Sequence, residues 1–132
     1  MQKFVFWTGI YNILLGVGFL IPSIPSLSGI QGTNSLFWLW LPAVLVIYLG
    51  VLLILCSRNL NVRGTLVYWE GILRVFAFLL LAYFGFWGGL GIMLGVIGIV
   101  DLLIGLGYLI GLPRALNTSH VNLLLDKATK NY

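Results

Sequence analysis

The sequence predicts an all-α integral membrane protein built as a bundle of four transmembrane helices. Of its 132 residues, 61% are hydrophobic and 8% are charged, whereas soluble domains average about 45–50% apolar and about 25% charged residues. A soluble chain this short leaves a large fraction of its surface in water, so this composition would expose too much apolar area. A soluble enzyme, a disordered chain and a nucleic-acid-binding module are therefore excluded.

Four apolar runs are long enough to cross a membrane, since about 20 helical residues span about 30 Å of hydrocarbon. We expect them to form helices over residues 4–21, 36–56, 66–84 and 90–112. Prolines 22 and 25 should close the first helix and Pro113 the fourth, because proline lacks an N–H group and interrupts a helix. Residues 113–132 form a polar tail that is expected to contain a short amphipathic helix on the cytoplasmic surface, with an apolar patch at Val121, Leu123, Leu124 and Leu125.

The charges of the connecting segments predict the orientation in the membrane. Basic residues occur at the N-terminal end, in the linker 57–65 and in the tail, at Lys3, Arg58, Arg63, Arg114, Lys127 and Lys130. The other two connections, 22–35 and 85–89, carry no charge. Because basic loops favour the cytoplasmic side, both termini should be cytoplasmic, which agrees with an even number of spans. The minimal loops suggest a bacterial inner membrane.

Few residue types for catalysis or metal binding are present. The single cysteine, Cys56, cannot form an internal disulfide, and the single histidine, His120, lies beyond the last apolar run. A metal cage of histidines and cysteines is therefore excluded. Neither a catalytic constellation nor a nucleic-acid partner is expected.

Three ionisable residues interrupt the apolar runs: Glu70, Arg74 and Asp101. Charges inside a membrane are costly and by default mark functional sites. Glu70 precedes Arg74 by four residues on one helix, the favourable order for an ion pair. Arg74 lies roughly 12 Å and Asp101 roughly 16 Å from the cytoplasmic side, at 1.5 Å per residue. We therefore expect a buried Glu70–Arg74–Asp101 network.

Asn12 on the first helix and Tyr48 on the second also lie roughly 12 Å deep, and Tyr108 is near Asp101 in sequence. All six residues are candidates for one polar layer or ligand site. Two carboxylates and one guanidinium leave an excess negative charge, so one carboxyl should hold a proton or meet a cation or polar headgroup. The layer can equally be structural, since buried polar groups often fix helix pairing.

Glycines crowd the fourth helix at Gly91, Gly95, Gly98, Gly105, Gly107 and Gly111. Small residues at four-residue spacing let helices approach closely. This face is expected to pack inside the bundle or to form the contact of a homo-oligomer or of another membrane protein.

Three stretches resemble the DoxX-like group of small bacterial four-helix membrane proteins: GIYNILLGVGFLIP (9–22), EGILRVFAFLL (70–80) and GVIGIVDLLIGLGYL (95–109). This resemblance implies a four-span layout and a membrane redox or accessory-subunit role. Two functions stay open: a non-catalytic accessory or scaffold subunit that holds a lipid or quinone, and a small oligomeric proton-coupled transporter that uses an intramembrane carboxylate.

Overall fold

The computed structural model describes residues 1–21, 23–27, 29–30 and 36–127, and its regular structure within these residues is entirely helical. Within this part of the chain, four helices are long and apolar enough to cross a membrane, as the sequence predicts. They are α1 (Gln2–Leu20), α3 (Leu36–Ser57), α4 (Leu60–Ala82) and α5 (Ile92–Ala115). Two short helices, α2 (Ser23–Leu27) and α6 (His120–Leu124), lie in the connection after α1 and in the tail. Pro22, the tail residues 128–132 and part of the 22–35 connection lie outside the described residues.

The four long helices form two closely packed pairs, α1 with α3 and α4 with α5. Glycines permit the first contact: a Cβ atom on Gly9 would lie 2.8 Å from the carbonyl oxygen of Gly50, and one on Gly50 would lie 2.7 Å from that of Gly9. The second pair meets at Gly71 and Gly105, where a Cβ on Gly105 would lie 2.9 Å from the Gly71 oxygen. Backbone therefore touches backbone within each pair, as small residues allow in membrane bundles.

The apolar core lies at the end of the bundle where α1 and α4 begin and α5 ends. Its fully or nearly buried side chains come from all four long helices and from α6, and they are Val5, Leu53, Cys56, Leu60, Val67, Tyr68, Tyr108, Leu112 and Leu123. A cavity of about 450 Å³ at this end is lined by Lys3, Asn61 and Ala115, among others. Lys3, the start of α4 and the end of α5 therefore lie together.

The third long helix, α4, is longer than predicted, because it begins at Leu60 and not at residue 66. The apolar run predicts only the part of the helix that would lie in hydrocarbon. The helix itself begins earlier, in a more polar stretch that has one buried face. Leu60, Gly64 and Thr65 are buried there, so the predicted linker 57–65 is reduced to a turn at 58–59. The α-helix ends at Ala82 and continues as a π-helical turn, Tyr83–Trp87.

The fourth span also differs at both ends. Helix α5 begins at Ile92, because Gly91 has φ +117°, a conformation outside the helix that glycine adopts readily. The predicted stop at Pro113 is wrong, since the helix continues to Ala115. A proline removes one hydrogen bond, and here the helix continues around it: the Leu116 N–H donates to the Leu112 carbonyl at 2.9 Å.

The tail folds back onto the bundle. Helix α6 begins at the N-cap Ser119, whose hydroxyl accepts from the Asn122 N–H, and it buries Leu123 completely. Next to it, the Tyr68 hydroxyl is hydrogen-bonded to His120 Nδ1 at 2.9 Å, and the Trp69 indole donates to the Leu124 carbonyl at 3.2 Å. The predicted short helix is therefore present, and one of its leucines belongs to the core.

Candidate functional site

Arg74 is the centre of a buried polar cluster that joins three of the long helices. Its Nε donates to Glu70 on the same helix at 2.9 Å, its Nη1 to Asp101 on α5 at 2.5 Å, and its Nη2 to Asn12 on α1 at 2.8 Å. All three nitrogens of the guanidinium are thus hydrogen-bonded to side chains of the protein. The Arg74 side chain is only 5% exposed. We call these four residues the Arg74 cluster.

The two carboxylates of the Arg74 cluster are held differently. Both Glu70 oxygens approach Arg74 Nε, at 2.8 and 2.9 Å, and the Glu70 side chain is 8% exposed. Asp101 pairs with Arg74 through Oδ1 and is 14% exposed. Two carboxylates against one guanidinium leave a formal excess of one negative charge, and Asp101 is the more accessible of the two acids.

The helices approach closely enough for these groups to meet because a glycine lies opposite Arg74. A Cβ atom on Gly105 would lie 3.0 Å from Arg74 Cβ. A larger residue would push α5 away from α4 and lengthen the contact between Arg74 and Asp101. The glycines of α5 and the charged residues of the Arg74 cluster are therefore in contact at Gly105 and Arg74.

Tyr108 lies beside the Arg74 cluster and connects it to Thr8, a residue that the sequence analysis did not single out. The Arg74 guanidinium carbon is 5.9 Å from the centre of the Tyr108 ring, within reach of a cation–π contact. The Tyr108 hydroxyl is hydrogen-bonded to Thr8 on α1, and the Thr8 hydroxyl donates to the Val5 carbonyl at 2.9 Å. Thr8 precedes Asn12 by four residues, so the two share one helix face, and that spacing was the available signal.

Tyr48 is the predicted site residue that the structure places elsewhere. Its side chain is 60% exposed on the outer face of α3, whereas the buried Gly50 two residues later faces α1. Two residues correspond to about 200° around a helix, which puts Tyr48 opposite the packed face. The predicted depth of Tyr48 matches that of the polar layer, but its side chain points away from the other helices. Tyr48 therefore does not belong to the Arg74 cluster.

Gly95, Gly98 and Gly105 of α5 lie against α4 and the turn that follows it. Gly95 faces the Phe86 ring, and a Cβ on Gly98 would lie 2.9 Å from Leu81 Cβ. The stripe thus forms an internal helix contact, one of the two roles considered for it.

The other three glycines of the set also contact their own chain. Gly107 lies against Phe4 and Gly111 against Met1, both near the start of α1. Gly91 precedes the helix and lies next to Ile30, so the predicted Gly91-x-x-x-Gly95 pair does not form a helix face. All six are therefore in contact within this chain.

Two apolar cavities flank the Arg74 cluster. One, of about 270 Å³, lies between α3 and α4, and its wall includes Leu53, Leu66, Leu73 and Glu70. The other, of about 320 Å³, lies between α1, α2 and α5 and includes Tyr11, Pro25 and Ile97. Ile97 is one helical turn from Asp101. Glu70 and Asp101 are therefore each close to a cavity that is large enough for a small bound molecule.

Among the described residues, no group of three histidine, cysteine, aspartate or glutamate side chains could hold a metal ion.

No family model, curated protein or solved structure matches this chain. Its function is therefore inferred from the geometry of its own side chains.

Proposed function

We propose that this chain is a small non-catalytic integral membrane protein that serves as an accessory or scaffold subunit. The observation that carries the proposal is that all three Arg74 nitrogens are hydrogen-bonded to side chains of α1, α4 and α5. A guanidinium on α4 that donates to side chains of α1 and α5 links these three helices to one another. Buried polar groups of this kind fix helix pairing in bundles.

The proposal includes a bacterial inner membrane and cytoplasmic termini. Support comes from the grouping of Lys3 with the start of α4 and the end of α5 around one cavity, which brings Arg63 and Arg114 to the same end of the bundle. Basic residues concentrated at one end favour the cytoplasmic side for that end. The resemblance to the DoxX-like group belongs to this proposal, since an accessory role in a membrane complex is what that resemblance implies.

The cavity between α3 and α4 is the proposed place for a bound lipid or quinone. Leucine side chains dominate its wall, and Glu70 is the charged residue among those that line it. Cavities lined by apolar side chains with a few polar groups are typical of small-molecule sites. An amphiphile would lay its chain along the leucines and turn its polar head toward Glu70.

Native mass spectrometry of the protein, extracted gently from its own membrane, tests the accessory role. A second polypeptide in a fixed ratio to this chain is expected, and it should persist in an Arg58→Leu variant, because Arg58 is exposed and outside the Arg74 cluster. Recovery of this chain with no second polypeptide would contradict the accessory role. A lipid or quinone retained in the same spectrum would support the cavity proposal.

A proton-coupled transporter is the second candidate, and it is favoured because Asp101 is the more accessible of the two buried acids. This carboxylate uses one oxygen for Arg74 and lies one turn from the cavity between α1, α2 and α5. In proteoliposomes with a pH gradient, the accessory role predicts the same proton flux for the wild type, for Asp101→Asn and for empty vesicles. A wild-type flux that Asp101→Asn abolishes would establish the transporter instead.

A further inference from the structure

Tyr48 presents a hydroxyl group to the middle of the membrane-facing surface, where no described residue is its hydrogen-bond partner. It lies near the midpoint of α3, nine residues before Ser57, or about 14 Å from that end of the helix. A tyrosine side chain is too short to carry its hydroxyl over that distance to the membrane surface. Among the described residues, none is hydrogen-bonded to the Tyr48 hydroxyl. A hydroxyl without an acceptor is unfavourable in hydrocarbon.

Tyr48 lies in the centre of a straight stripe on α3. Six exposed residues follow one another at intervals of four, three, four, three and four positions, and they are Phe37, Leu41, Val44, Tyr48, Val51 and Leu55. Their exposed fractions range from 41% to 60%. This spacing is the heptad pattern by which two helices pack side by side in a left-handed supercoil. We call these residues the α3 seam.

We propose that a second copy of this chain packs on the α3 seam, with the two Tyr48 hydroxyls hydrogen-bonded to each other at the dimer axis. Copies of one membrane protein insert in the same orientation, so their α3 helices run parallel. A two-fold axis along the membrane normal then brings each seam residue to the same depth as its equivalent in the other copy. A tyrosine hydroxyl can donate or accept, so one Tyr48 donates to the other across the axis and both hydroxyls gain a partner.

The size of the α3 seam fits a second copy. About half of each of its six side chains is exposed. The two aromatic ones present about 150–250 Å² each and the four aliphatic ones less, so each copy offers at most about 500 Å². A symmetric pair that covers the whole seam would bury at most about 1,000 Å² in total, which reaches the lower bound for a specific interface. The six glycines of the predicted fourth helix are in contact within the chain, and the Tyr48 hydroxyl near the middle of α3 distinguishes the α3 seam from the other exposed apolar faces.

Cysteine cross-linking in membranes tests the dimer. The native cysteine is first removed by the substitution Cys56→Ala. Single cysteines are then introduced on the α3 seam as Tyr48→Cys and Val51→Cys. The control is Leu103→Cys, a 64% exposed position on α5. Mild oxidation should give a disulfide-linked dimer from both seam variants, since cysteines bond only where their Cα atoms lie within about 7 Å. Leu103→Cys should stay monomeric.

The role of the hydroxyl is tested by energy transfer between labelled copies in vesicles that are progressively diluted with lipid. Tyr48→Phe should raise the dissociation constant of the dimer about three- to fifteenfold, the range expected for the loss of one interhelical hydrogen bond in a membrane. Tyr83→Phe, which removes another exposed hydroxyl, should leave the dissociation constant unchanged.

The proposal is overturned if the seam cysteines cross-link no faster than Leu103→Cys, or if they cross-link only to a polypeptide of different mass. It is also overturned if Tyr48→Phe dissociates like the wild type. None of these readouts depends on whether the chain has an accessory or a transport role.

Discussion

Replacement of Arg74 by leucine removes the cation that holds Glu70 and Asp101 in the bundle, and it should destabilise the protein strongly. Removing one partner of a buried ion pair costs about 3–5 kcal/mol, because the other charge is left buried without compensation. The Arg74 cluster contains two such acids, both largely buried. For a chain of this size, that loss corresponds to a fall in Tm of about 10–20 °C.

The second half of this prediction is a partial reversal. Adding Asp101→Leu to Arg74→Leu removes one of the stranded carboxylates and replaces it with an apolar side chain, so part of the lost stability should return. Both variants are measured as thermal unfolding in detergent, beside Arg58→Leu, which removes an exposed arginine. A Tm for Arg74→Leu within about 2 °C of the Arg58→Leu value would refute the reasoning. So would the absence of recovery in the double variant, because direct pairing requires the two substitutions to be non-additive.

Three further outcomes follow from the packing and from the charges. Gly50→Leu should lower the Tm by several degrees, because its side chain would collide with the α1 backbone, whereas Gly18→Leu, with open space around it, should leave the Tm unchanged in the same detergent assay. Leu123→Ala should destabilise the chain by about 2–4 kcal/mol in denaturant titration, and an equal effect of Leu125→Ala, at an exposed position, would argue against docking of α6. A reporter fused after Tyr132 should give a cytoplasmic signal, and a periplasmic signal would reverse the orientation proposed from the charges.

Hydropathy made the four apolar helices predictable, and the all-helical prediction is confirmed. The helix bounds were less accessible, because an apolar run shows where lipid is met and not where hydrogen bonding stops. Helix α4 therefore begins at Leu60, six residues before the run at 66. Likewise, Pro113 marks the loss of one hydrogen bond, while the helix continues to Ala115.

The sequence predicted members of the Arg74 cluster where two independent properties agreed, namely the position around the helix and the depth along it. The four-residue spacing of Glu70 and Arg74 placed them on one face, and their depth brought Asp101 into range. Depth alone was insufficient for Tyr48, because residue counting fixes height along a helix but not direction around it. Helix α3 is apolar on all sides, so its sequence contained no contrast to show that Gly50 faces inward and Tyr48 outward.

The contact between helices through Arg74 is tested most directly by NMR of arginine side chains. The chain has four arginines, so a ¹⁵N-arginine-labelled sample in lipid nanodiscs should give an assignable set of guanidinium signals. We expect one of them to exchange its protons slowly with water and to disappear in Arg74→Lys, because each Arg74 nitrogen is hydrogen-bonded inside the bundle. Four guanidinium signals that all exchange as fast as free arginine would contradict the account.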